Sequence, residues 1–122
     1  RIVITGFVDD LASYLRSAAV YVCPLSIGSG MRTRLVEALA TGCAAVVSEN
    51  ACRGLDRPAS GKPWRQAESA EDFAEITLAL LNDEAAADDL GARAARYAID
   101  RYSWSATIDA LLAEYASIID GQ

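Results

Sequence analysis

The residues best placed to do chemistry in this 122-residue chain lie between Tyr21 and Glu49, where Gly28-Ser29-Gly30-Met31 precedes Arg32, Arg34 and Glu37. Glycines two apart let the backbone come close to a phosphate. Ser29 and the first-turn N–H groups of a following helix would then donate to it, because those N–H groups have no intrahelical partner and the helix dipole favours negative charge. A tight turn without a ligand accounts for a lone G-x-G equally well. Arg32 and Arg34 fall in the first turn or so, where the dipole disfavours a cation unless something negative balances it. Being two apart, they cannot both face one ligand along the helix, and Arg34 is the preferred phosphate partner, with Arg32 a second candidate; a solvated surface arginine is the plain reading of either. Glu37, three beyond Arg34, stands amid Leu35, Val36, Ala38 and Leu39. A carboxylate near an apolar helix face wants hydrogen bonds, which either ribose hydroxyls or an internal pair with Arg34 would supply.

Other chemistry is thin. The chain has no histidine, and Cys23, Cys43 and Cys52 lack metal-ligand spacing, so neither a base–nucleophile pair nor a metal site is expected. No catalytic residue is assigned: Glu49, Asp56 and Glu71 read as surface carboxylates, and Trp64 and Trp104 as packing anchors.

These groups need elements to hold them. A buried strand over Ala19 to Cys23, a Pro24-opened loop, a helix from about Met31 to Thr41, and a second buried strand over Ala44 to Ser48 form a βαβ unit. Gly42 stands just past the helix, where a positive φ is cheapest. Arg1 to Gly6 reads as an earlier inner strand, followed by a helix capped by Asp9 or Asp10 and carrying Leu11, Tyr14, Leu15 and Ala18 on one face. Residues 49–65 are irregular, broken by Gly54, Pro58, Gly61 and Pro63, and a weak edge strand is placed at Trp64 to Ala67. Ser69-Ala70-Glu71-Asp72 has capping-box form before a helix with Phe73, Ile76, Leu80 and Leu81 inward. A helix from about Ala85 to Ile99 follows. The last begins at Tyr102-Ser103-Trp104, with Trp104, Ile108, Leu111, Leu112, Tyr115 and Ile119 spaced to pack. The fold class expected is α/β: residues 1–122 as a single, partial Rossmann-like domain, with a parallel sheet of about three to four strands covered by helices and further helices at the C-terminal end. Its exposed sheet edge would want a partner, in the simplest case a second copy of the chain.

Composition narrows the classes. A hydrophobic share of 52% with 23% charged residues belongs to a folded protein, and one core suits this length. The net charge of −6 argues against nucleic acid or an anionic membrane as a partner. Positive charge is nonetheless gathered at Arg32, Arg34, Arg53, Arg57, Lys62 and Arg65, around the glycine loop. No apolar run is long enough to span a membrane, and three unpatterned cysteines suit a reduced, cytoplasmic setting.

Taken together, Gly6-Phe7-Val8-Asp9-Asp10-Leu11, Pro24 through Ser48, Arg53-Gly54-Leu55 and Tyr102-Ser103-Trp104 give the chain a likeness to a known family. It resembles the C-terminal, nucleotide-sugar-binding domain of family 4 glycosyltransferases, enzymes built from two Rossmann-like domains. The resemblance implies that Gly28, Ser29, Gly30 and Met31 approach the donor diphosphate or its sugar, that Arg34 meets phosphate, and that Glu37 binds the ribose hydroxyls. Ser29 stands where the family often has a sugar-contacting glutamate, so no carboxylate is assigned to the sugar. The resemblance further implies retention at the anomeric carbon, a nucleotide-diphosphate sugar as donor substrate, and no required cofactor or metal. It implies, too, that an acceptor-binding domain and the first strands of the donor domain precede this region in the parent. Turnover by the chain alone is therefore not expected. The competing expectation is a small Rossmann-like module that binds a phosphorylated metabolite or a protein.

Overall fold

The computed structural model describes residues 1–58 and 60–121. Its centre is a three-stranded parallel sheet in the order β1 (Val20–Cys23), β2 (Ala44–Val47), β3 (Arg65–Gln66). Val20 pairs with Ala44 and Cys23 with Val47, while Val46 and Val47 pair with Arg65 and Gln66. All four residues of β2 are buried, as a strand with neighbours on both sides and helices on both faces must be. The α/β, Rossmann-like architecture with C-terminal helices is the one expected, with three strands, and the weak edge strand is present as the two residues of β3.

Alternation along β2 divides the core. Ala45 and Val47 face Leu35 and Leu39 of α2 (Thr33–Ala40), together with Ala94, Tyr97 and Ala98 of α5 (Glu84–Tyr102). Ala44 and Val46 face Leu80 of α4 (Ala70–Asn82), backed by Phe73 and Ile76, and Leu90 of α5. Helices therefore cover both faces. The chain also forms α1 (Leu11–Ser17), a single-turn α3 (Glu49–Cys52) and α6 (Trp104–Asp120).

The approach of α5 to the sheet is set by two glycines. Gly42 has φ 80° and closes α2, its N–H returning to the Leu39 carbonyl at 3.0 Å. A Cβ on Gly91 of α5 would collide with the Gly42 carbonyl oxygen, so α5 rests backbone against backbone on that turn. Gly91 thus stays in a helix interior despite its poor helix propensity.

Three expectations are corrected. Arg1 to Gly6 forms no strand; Ile2, Val3 and Ile4 are exposed, since the run joins no ladder and β1 remains an edge of the sheet among the described residues. The apolar stripe of α6 exists but buries none of its residues, and Trp104, 83% exposed, is no packing anchor. Helix α2 starts at Thr33 rather than Met31, and α5 runs on to Tyr102 rather than ending at Ile99. No helix among the described residues is long and apolar enough to cross a membrane. The three cysteines are free, and burial raises the pKa of Cys43 and Cys52, as suits inert thiols.

Candidate functional site

Parallel strands end together, and the loops that leave those ends enclose a cleft. It measures about 620 Å³ and is lined from three directions: Pro24 to Gly28 after β1, Ser48 to Asn50 with Arg53 after β2, and Glu68 to Ala70 with Phe73 after β3. One hydroxyl ties two of these walls. Ser48 Oγ donates to the Leu25 carbonyl at 2.6 Å and accepts from the Ala51 N–H at 3.2 Å, so the same atom anchors the loop after β1 and caps α3.

The glycine loop lies on the rim. Gly28 (φ 126°) and Gly30 (φ 82°) occupy the left-handed half of backbone space, which a side chain would strain. Gly28 lines the cleft, while Ser29, Gly30 and Met31 are exposed beside it. Asp10, Ser48, Ser69, Asp83 and Ser103 each place a side-chain oxygen on the start of α1, α3, α4, α5 and α6. By contrast α2, the helix that follows the glycine loop, starts from Arg32 without any side-chain cap. Its first N–H groups are left to an outside acceptor or water.

Arg32 and Arg34 separate. The Arg32 guanidinium folds back over Gly28, where a Cβ would collide with it, and its Nε is buried without a hydrogen-bond partner. A cation thus sits at the positive end of a helix with nothing negative among the described residues bonded to it, a placement that a bound anion would relieve. Arg34 points elsewhere, into a smaller pocket of about 220 Å³ formed by Thr5 to Val8, Leu11 and Tyr14.

Glu37 is exposed and forms no ion pair with Arg34, so the internal pairing considered from sequence does not occur. Its charge is felt at Tyr21 on β1. Burial, above all, pushes that phenol up to about 12; the Cys23 thiol and Glu37 act in the same direction, and Arg34 opposes them. The structure therefore puts Gly28 in the cleft wall with Arg32 folded against it and Ser29 to Met31 exposed next in the chain, while Arg34 and Glu37, one turn apart on α2, do not line the cleft.

Several cleft residues escape a reading by motif. Asn50 has a buried, unpartnered amide nitrogen, and Arg53, Glu49 and Glu68 supply charge. The signal that finds them is positional, for each follows the carboxyl end of a parallel strand. No group of three or more His, Cys, Asp or Glu residues able to hold a metal occurs among the described residues.

Comparison with known proteins agrees with this architecture. No curated protein matches the chain significantly. A family model described as "Glycosyl transferases group 1" matches residues 1–83, a span that includes the glycine loop, all three strands and every wall of the cleft. With more than half of its length so matched, the chain belongs to the group 1 glycosyl transferases.

Proposed function

We propose that this chain is the donor-binding part, the C-terminal domain, of a retaining family 4 glycosyltransferase, and that it takes a nucleotide-diphosphate sugar at the cleft. The observation that carries the reading is the uncapped start of α2 on the cleft rim, with the free Arg32 guanidinium folded over Gly28. Two phosphates of a donor would take the N–H groups of Gly30 to Arg34 and the Arg32 cation, replacing water by fixed dipoles where charge develops as the sugar leaves. Glu37, exposed and unpaired, is free to accept from ribose hydroxyls. Arg34, one turn from Glu37 but facing Gly6 to Val8, would hold the outer flank of the nucleotide. Binding needs no metal in this scheme, because the cations are the protein's own. Turnover is assigned to a longer parent that also carries an acceptor site.

Titration of the chain with UDP, GDP and ADP tests the reading. One of the three is expected to bind, and Glu37→Ala to weaken it by more than about threefold, the least that loss of a hydrogen bond to a charged group should produce. Absence of binding by all three, or a smaller effect of Glu37→Ala, counts against the donor site or the ribose contact respectively.

A second reading has its own observation. The unpaired edge of β1 and the bare face of α6 suit a protein partner, including another copy of the chain. A chain that binds no nucleotide yet associates at micromolar concentration would favour it.

A further inference from the structure

The turn after α3 touches the glycine loop directly. A Cβ on Gly54 would meet the Met31 nitrogen at 3.3 Å and the Gly30 carbonyl carbon at 3.5 Å, so this turn braces the backbone of the loop from below. Arg53, next to it, lines the cleft. The turn is irregular in itself: Gly54 and Pro58 interrupt any regular element, and among the described residues its local backbone bond is from Leu55 N–H to the Cys52 carbonyl, at 3.2 Å.

The clasp comes from the far end of α5, more than forty residues on in the chain. The Asp56 N–H donates to Tyr102 Oη at 2.8 Å, and Tyr97 Oη donates to the Asp56 carbonyl at 2.6 Å. The two phenol oxygens are 3.3 Å apart. Because the Tyr97 proton is committed to the carbonyl, Tyr102 must be the donor between the phenols. The result is a closed circuit in one direction, from Asp56 N–H to Tyr102, to Tyr97, to Asp56 carbonyl, in which each bond polarises the next. Arg101 adds an ion pair to the Asp56 carboxylate at 3.7 Å. The Tyr97 ring is held edge-on by Trp64 at 5.6 Å and Tyr102 at 5.8 Å, so the hydroxyls are aimed by packed aromatic groups.

We infer that Tyr97 and Tyr102 are positioning residues for the donor site: by gripping both backbone groups of Asp56 they press Gly54 against Gly30 and Met31, and so fix the glycine loop that receives the diphosphate. Their role in binding rests on the donor reading; the mechanical link does not. It also gives Tyr102-Ser103-Trp104 a purpose, since Tyr102 closes the clasp and Ser103 starts α6 at the same corner.

Amide hydrogen exchange across the whole chain, with nucleotide titration alongside, tests this. In Tyr97→Phe/Tyr102→Phe, which keeps both rings, exchange at Leu35 and Val36, whose N–H groups bond the Arg32 carbonyl directly behind the glycine loop, is expected to rise about tenfold or more, with β2 and α4 unchanged. Affinity for whichever of UDP, GDP or ADP the parent chain binds should fall about three- to tenfold. If exchange opens at Asp56 while Leu35, Val36 and the affinity stay as they were, the inference is overturned. Should the double variant lose protection everywhere, Tyr102→Phe alone is judged by the same two outcomes. If the unmodified chain binds no nucleotide, the donor reading fails while the exchange result still decides the link between clasp and loop.

Discussion

Arg32 and Arg34 differ by two positions and face different surroundings, which makes them a sharp test of where phosphate lies. Arg32→Ala removes the guanidinium over Gly28 and is expected to weaken nucleotide-diphosphate binding by about tenfold, as loss of a charge-assisted hydrogen bond does. Arg34→Ala, in the pocket by Gly6 to Val8, should cost less. Equal effects in calorimetry would mean that the diphosphate does not sit on the glycine loop. A second residue-level expectation concerns alkali. The Tyr21 phenol stands at about 12 against its ordinary 10.0, held up first by burial. Between those values the unfolded chain gives up a proton that the folded chain keeps, so stability is whole below pH 10 and declines as pH rises towards 12. Tyr21→Phe should flatten that decline in denaturant titrations at successive pH values, although burial also raises Tyr97 and leaves a share of the slope in place.

Among the elements, the helices show how local chemistry decides stability. In α4 the Ser69 hydroxyl accepts from the Asp72 N–H at 3.1 Å and the Asp72 carboxylate accepts from the Ser69 N–H at 3.1 Å, the reciprocal box that the sequence spacing announces. The backbone bond from Ser69 holds Asp72 below its usual pKa, so this stabilisation is present above that usual value and fades as pH falls through the lowered one. Ser69→Ala should lower unfolding free energy by about 1 kcal/mol. Gly91→Ala makes the opposite point. Helix propensity favours alanine, yet the Gly42 carbonyl is backbone and has little room to yield, so the substitution is expected to destabilise by about 1–3 kcal/mol. A rise in the denaturation midpoint would show that α5 stands off further than described. Both features also mark what the sequence makes legible. Caps at Ser69 and Ser103, one of Asp9 and Asp10 as a further cap, the turn at Gly42 and the strands β1 and β2 follow from neighbours in the chain. The contact of Gly91 with Gly42, the grip of Tyr97 and Tyr102 on Asp56, and the divergence of Arg32 from Arg34 arise only when distant segments meet, and no local spacing encodes them.

For the whole molecule, the sheet explains why the site lies where it does and why some expectations failed. Three strands running the same way put their following loops at one end, and so the glycine loop found by motif acquires Asn50, Arg53 and Glu68 as neighbours. The run Ile2-Val3-Ile4 reads as a strand because its residue types are those of strands, but a strand exists only with a ladder to join, and β1 has Val22 42% exposed at an unpaired edge. Surfaces of this kind favour association. The chain is expected to show a molar mass that rises with concentration in light scattering, and Val22→Lys to reduce that rise if β1 is the contact. An invariant monomer mass across the range would argue that neither β1 nor α6 attracts a second copy.

Ser48 leaves little freedom to engineer this cleft. Its hydroxyl is donor to one strand's exit and acceptor for the next, so alanine there would orphan the Leu25 carbonyl and leave the Ala51 amide with its bond to the Ser48 carbonyl alone. Any rearrangement that a guest molecule imposes on residues 24–28 must be felt at once by residues 48–51, as two doors hung on one hinge pin swing together. Threonine keeps the pin; nothing without an oxygen does.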